Sequence, residues 1–86
     1  MSQQRDVWVE LNDIDPDGCV VTYADMAEPG VDLSVGARVI AGDDEGNLVA
    51  ATVVRRDRRG SGAVTLRLHL ETFTPTGADA SALHAS

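Results

Sequence analysis

The sequence predicts a small all-β domain, a barrel of five short strands. One observation is a hairpin pattern at 35–54, where apolar residues of one parity lie on both sides of an acidic, glycine-containing turn: Ala37, Val39 and Ala41 before it, and Val49, Ala51 and Val53 after it. A second is that the same period of two recurs along the chain, with no convincing helical period. A third is the length of 86 residues, which allows one thin core. Five strands are too few for two full sheets, and closure into a barrel removes exposed edges.

Each strand follows from its own pattern. We expect strands at 6–11, 19–24, 37–42, 48–56 and 63–73. In the first, Val7, Val9 and Leu11 share the core side and Trp8 lies opposite. The second is apolar on both sides, which predicts a central or fully covered strand. The last alternates most cleanly, and four of its residues are expected to face the core: Val64, Leu66, Leu68 and Leu70.

The connections carry turn chemistry. Pro16, Asp17 and Gly18 suit a type I turn followed by a glycine at positive φ. In the longer connection 25–36, we expect Leu33 and Val35 to close one end of the core. The segment 75–86 is small, polar and of low complexity, so the domain is expected to span 1–74 and to be followed by a disordered tail at 75–86.

The predicted architecture is an SH3-like barrel or, alternatively, an OB-like one. The order of Val35-Gly36, an alternating strand, an acidic turn and the run 48–54 resembles the central hairpin of SH3-like barrels of the Tudor and KOW kind, over 35–54. Tudor domains that read methyl-lysine use a cage of several aromatic residues, whereas this chain has only Trp8, Tyr23 and Phe73. We therefore do not expect methyl-lysine recognition, while the likeness to KOW barrels implies a nucleic-acid role.

The charge balance is strongly acidic. Asp and Glu number 14 against 7 basic residues, all of them arginine, and the net charge is −7. Such a charge disfavours nonspecific attraction to nucleic acid or anionic lipid. The absence of lysine beside abundant Ala, Val, Gly, Asp and Arg suggests a high-GC bacterial source. Because no apolar run is long enough for a membrane span and no signal peptide is evident, we expect a cytoplasmic protein without membrane association.

No constellation of residues demands a chemistry. Cys19 is the only cysteine, which excludes an internal disulfide and a multi-cysteine zinc site. Three aspartates followed by a glycine (13–18) match the opening of a calcium loop, but the position of its bidentate glutamate is taken by Ala24. His69 has no neighbouring nucleophile or second ligand in its strand, and no glycine-rich phosphate loop precedes a helix. We expect no enzymatic activity, no cofactor and no metal.

Two functions remain open. The first is a noncatalytic protein-binding or accessory-subunit module, whose partner is another protein or a second copy. Its surface would be the outer face, and tryptophan is enriched among binding hot spots; the predicted residues are Trp8, Ile40, Leu48 and Val54. This face could instead be covered by the connection 25–36.

The second candidate function is that of a nucleic-acid or ribonucleoprotein accessory. It would use the arginines of the predicted turn, although these could simply solvate the turn: Arg55, Arg56, Arg58 and Arg59. The acidic balance favours protein binding.

Overall fold

The computed structural model describes residues 5–60 and 62–75. They form the strands β1 (Val7–Trp8), β2 (Cys19–Tyr23), β3 (Arg38–Gly42), β4 (Leu48–Arg56) and β5 (Ala63–Leu68), and the short 3-10 helices η1 (Leu11–Asp13), η2 (Ala24–Met26) and η3 (Leu70–Thr72). Within these ranges there is no α-helix, and the prediction of a small all-β fold is confirmed. The predicted disorder of 76–86 concerns residues outside the described ranges.

The strands form one curled half-barrel sheet in the order β1-β3-β4-β5-β2. β1 runs parallel to β3, and the other neighbours are antiparallel. The two edges of the sheet approach each other where the hydroxyl of Thr22 in β2 donates to the carbonyl oxygen of Trp8 in β1, at 2.6 Å. A side-chain hydrogen bond thus joins strands that are not neighbours in the sheet.

The β3–β4 hairpin has the predicted register, with Val39 opposite Ala51 and Ala41 opposite Val49. Alternation places these residues on the inner face, where they join a single buried cluster. That cluster consists of Val7, Val9, Val20, Leu33, Val39, Ala41, Val49, Ala51, Val53, Val64, Leu66 and Leu68. Leu11 and Ala37 are half-buried against it.

Two residues expected in the core are exposed: Leu70 by 51% and Val35 by 65%. β5 ends at Leu68, five residues before its predicted end at 73, and the chain turns into η3, so the alternation no longer applies at Leu70. Val35 lies at a corner where the Ala37 N–H donates to the Ser34 carbonyl at 2.9 Å. This turn leaves Leu33 in the core and directs Val35 to solvent.

The prediction that the second strand is central or covered is wrong. β2 is an edge strand that pairs with β5 alone, and its outward residues Val21 and Tyr23 are 54% and 42% exposed. The first strand is also shorter than expected, because β1 includes only Val7–Trp8 and the chain enters η1 after Glu10. A strand pattern alone does not specify which strand lies at an edge.

Candidate protein-binding surface

Trp8 occupies the position predicted by strand parity. Val7 and Val9 are fully buried, and Trp8 between them is half-buried. The beginning of the connection 25–36 lies along the same strand, because Ala27 forms a β-bridge with Val7. Trp8 is therefore neither fully covered by the connection nor fully exposed.

Gly42 allows β1 to lie close to the hairpin. It is the β3 partner of Trp8, and it is buried. A Cβ at this position would lie 2.9 Å from the Arg5 Cβ and 3.0 Å from a terminal carbon of Leu48. Only a residue without a side chain permits this approach, which positions Trp8 beside the β3–β4 turn.

A groove of about 530 Å³, here called the Trp8 groove, opens on one side of this tryptophan. Its apolar lining comes from β1 and from η1 and η3 with the residue that follows each, and the β3–β4 turn contributes polar residues. The lining residues are Trp8, Glu10, Leu11, Asn12, Ile14, Asp43, Asp44, Glu45, Asn47, Leu70 and Phe73. The volume lies within the range of roughly 300 to 1,000 Å³ that is typical of ligand pockets.

The η3 turn supplies the exposed apolar residues of the groove. The Thr72 hydroxyl donates to the His69 carbonyl at 2.6 Å and accepts from the Ala50 N–H at 2.9 Å, which holds η3 against β4. Leu70 and Phe73 are then left 51% and 44% exposed. Our sequence interpretation missed both residues. The available signal was the break in parity at Phe73, which does not continue the alternation of the strand.

A second depression, here called the Met26 hollow, is also lined by Trp8 and has a volume of about 480 Å³. Its one strongly exposed apolar side chain is Met26, at 44%. It is lined by Arg5, Trp8, Asp25, Met26, Ala27, Glu28 and Asp44. Trp8 and Asp44 line both depressions and so form the boundary between them.

The surroundings of both depressions are acidic. All charged residues that line the Trp8 groove are carboxylates. Arg5 in the Met26 hollow is already engaged, because its guanidinium donates to the Asp43 carbonyl at 2.7 Å and lies 3.6 Å from an Asp44 carboxylate oxygen. Among the described residues, Glu10, Asp25 and Glu28 form no ion pair. The field at this surface favours a cationic ligand.

Asp43 remains ionised to low pH. Partial burial acts to raise the pKa of its carboxyl, but this is outweighed by hydrogen bonds from the Asn47 side chain and from the backbone N–H groups of Asn47 and Glu45, so the pKa lies below the usual 3.8. These donors approach the Asp43 carboxylate to between 2.9 and 3.0 Å. The same contacts order the acidic turn at the rim of the groove.

The other predicted binding residues do not all lie with Trp8. Ile40 is half-buried and packs with Leu48 and Ala50 in a small second cluster on the hairpin. Leu48 is itself buried, so its side chain supports this face and offers little area to a partner. Val54 is half-buried at a register shift between Val53 and Arg55, in the part of β4 remote from the β3–β4 turn.

The same register shift, a β-bulge, lies just before the arginines of the β4–β5 turn. After the bulge, Arg55 is opposite Thr65 and is exposed, whereas Arg56 is opposite the buried Val64 and is half-buried. Arg56 also lowers the pKa of Asp32, although hydrogen bonds from Ser34 are the larger cause. Arg58 and Arg59 are exposed in the turn itself. Neighbouring guanidinium groups therefore point to opposite sides of the strand.

Residues that could bind a metal ion are dispersed within the described ranges. No three His, Cys, Asp or Glu residues within them are grouped closely enough to hold a metal ion. The Asp15 carboxylate instead accepts the N–H groups of Asp17 and Cys19, each at 2.9 Å, and Gly18 has the expected positive φ of 81°. The His69 Nε2 is 2.7 Å from the Thr52 hydroxyl. None of the described helices has the length and apolar character needed to cross a bilayer.

Comparisons of the chain with protein-family models, with curated proteins and with solved structures found no significant match.

Proposed function

We propose that this chain is a noncatalytic protein-binding module, a small barrel of the SH3-like or OB-like kind, and that the Trp8 groove is its binding surface. The observation that carries the proposal is the exposure of Leu70 and Phe73 beside the half-buried Trp8 within one groove. Large apolar side chains that remain accessible together mark interaction sites more often than isolated ones do. Tryptophan adds a large rigid surface that can anchor a partner.

The composition of the groove favours binding of a protein segment. Its walls come from η1, the β3–β4 turn and η3, and its polar residues are carboxylates and amides without a histidine, cysteine or serine among them. Such a surface supplies apolar contact, hydrogen bonds and negative charge, which suit recognition of a protein segment. These features support the proposal that the groove recognises a protein segment.

Selection of phage-displayed random peptides on the immobilised protein tests this function. Peptides that bind the wild type should lose binding to the double variant Leu70→Ser, Phe73→Ser. Val21→Ser is the matched control, because Val21 is 54% exposed, close to the 51% of Leu70, and does not line the groove. Circular dichroism should be unchanged in all variants. Peptides that bind the double variant as well as the wild type would show that the groove is not the binding surface.

The second candidate is nucleic-acid binding at the β4–β5 turn. In its favour, none of the four turn arginines lies within ion-pair distance of a described carboxylate, and Arg55, Arg58 and Arg59 are exposed. Against it, strand alternation places Arg55 and Arg56 on opposite sides of β4, and no aromatic residue lies in the turn to stack on a base. The net charge of −7 opposes approach to phosphates. Protein binding is therefore the better-supported function.

A further inference from the structure

We propose that the partner of the Trp8 groove is an extended protein segment in which an apolar anchor residue is flanked by arginine or lysine. The anchor occupies the Trp8 groove, and a basic side chain crosses the Trp8–Asp44 boundary to the carboxylates of the Met26 hollow. This inference rests on the proposed function and names the chemistry of the partner.

The apolar half of the motif follows from the lining of the groove. Leu11 and Ile14 are half-buried in its wall, and Leu70 and Phe73 are accessible beside them. An aliphatic or aromatic side chain placed among these residues removes apolar surface from water on both partners. Burial of one such side chain contributes about 1.5 to 3 kcal/mol, which is enough for an anchor.

The basic half of the motif follows from carboxylates that have no ion-pair partner among the described residues. Glu10 borders the groove, Asp25 and Glu28 border the hollow, and none of the three is ion-paired within the described residues. Trp8 stands between these two sets of carboxylates, and the face of its indole ring attracts cations. A basic side chain on either side of the anchor would meet a carboxylate at short range.

A second copy of the chain fits this surface poorly. Each copy has a net charge of −7, so two acidic faces repel each other. The one concentration of basic residues that a second copy could supply is 55–60, whose sequence RRDRRG contains no apolar side chain, and the preceding Val53 and Val54 are buried and half-buried within β4. The surface therefore requires both features from a different protein.

Three synthetic nine-residue peptides test the inference by chemical-shift titration of isotope-labelled protein, a method that detects weak complexes. The first is Gly-Ser-Arg-Ser-Leu-Ser-Arg-Ser-Gly with blocked ends. The second replaces both arginines by glutamine, and the third replaces the leucine by serine. We expect the first to shift the amide signals of the Trp8 groove, with about tenfold weaker binding when the arginines are replaced. We expect about thirtyfold weaker binding when the leucine is replaced.

Protein variants and salt identify the origin of the arginine effect. The double variant Glu10→Gln, Glu28→Gln should remove most of the difference between the arginine and glutamine peptides, whereas Asp17→Asn, a neutralised carboxylate away from both depressions, should leave it unchanged. Salt at roughly 0.5 M should also reduce this difference, because exposed charges are then screened.

The outcomes separate the inference from the proposed function. If the glutamine peptide binds as well as the arginine peptide and both lose binding in Leu70→Ser, Phe73→Ser, the basic requirement is wrong and the protein-binding function stands. If no peptide, displayed or synthetic, depends on Leu70 and Phe73, the function itself fails. Concentration-dependent self-association that is abolished when the turn arginines are changed to serine would identify a second copy as the occupant and overturn the inference.

Discussion

The hydrogen bond between Thr22 and Trp8 should stabilise the closure of the half-barrel, and Thr22→Val tests this directly. Thr22 is only 1% exposed, and its hydroxyl donates to the Trp8 carbonyl at 2.6 Å. Valine has nearly the same shape, so the substitution removes the donor without leaving a cavity. A buried acceptor that loses its partner costs about 1 to 3 kcal/mol, and the higher strand propensity of valine returns a few tenths.

We expect Thr22→Val to lower the free energy of unfolding by about 1.5 kcal/mol, which in a domain of this size corresponds to roughly 6 to 12 °C in Tm. Urea and thermal denaturation followed by circular dichroism measure both quantities. Hydrogen exchange should also locate the effect. The Val9 N–H, which donates to the Gly42 carbonyl at 2.9 Å, should exchange faster because β1 is held less firmly.

Thr65→Val is the matched control. Thr65 is half-buried in β5, and its hydroxyl makes no hydrogen bond to a described group, so the same chemical change should alter stability by less than about 0.5 kcal/mol. A Thr22→Val protein as stable as Thr65→Val would refute the argument that this hydrogen bond holds the edges of the sheet together.

Three further predictions concern the acidic turn, the close approach of β1 and the arginine turn. Asp43→Asn should be less stable than wild type at neutral pH. The lowered pKa of Asp43 means that its ionised carboxylate stabilises the folded state at pH values above 3.8. In urea titrations that difference should begin to shrink near pH 3.8 and be lost as the pH falls through the lowered pKa of Asp43; a constant difference would exclude ionisation as its cause. Gly42→Ala should lower stability by about 1 to 3 kcal/mol through overpacking, and an unchanged Tm would show that Arg5 and Leu48 move aside freely. Fluorescence anisotropy should detect no binding of single-stranded RNA at about 150 mM salt. This prediction would be contradicted by a salt-sensitive complex that is lost when four arginines are changed to serine: Arg55, Arg56, Arg58 and Arg59.

The local sequence pattern was sufficient to predict which face of each strand is buried. Residues that alternate in sequence alternate between the two sides of a sheet, so the inward positions of β3, β4 and β5 up to Leu68 were predictable. The turn at Gly18 was also predictable from local sequence, because glycine adopts a positive φ without steric cost. The outward position of Trp8 also follows from parity with Val7 and Val9, whereas its half-burial does not.

The candidate groove depends on pairings between distant parts of the chain. Leu70 and Phe73 become neighbours of Trp8 only because β5 ends at Leu68 and η3 packs on β4, and nothing in the local alternation specifies where pairing stops.

The sequence alone therefore determined that this protein is built from alternating strands, which side of most strands is buried, and that its charge is acidic. The tertiary structure decided that β2 is an edge, that the β4–β5 register shifts between Val53 and Arg55, and that exposed apolar residues and carboxylates line one groove beside Trp8. The physical reason is the distance along the chain over which the interactions act. Alternation between the two faces of a strand depends on adjacent residues, whereas edges, bulges and grooves arise from contacts between segments far apart in the chain.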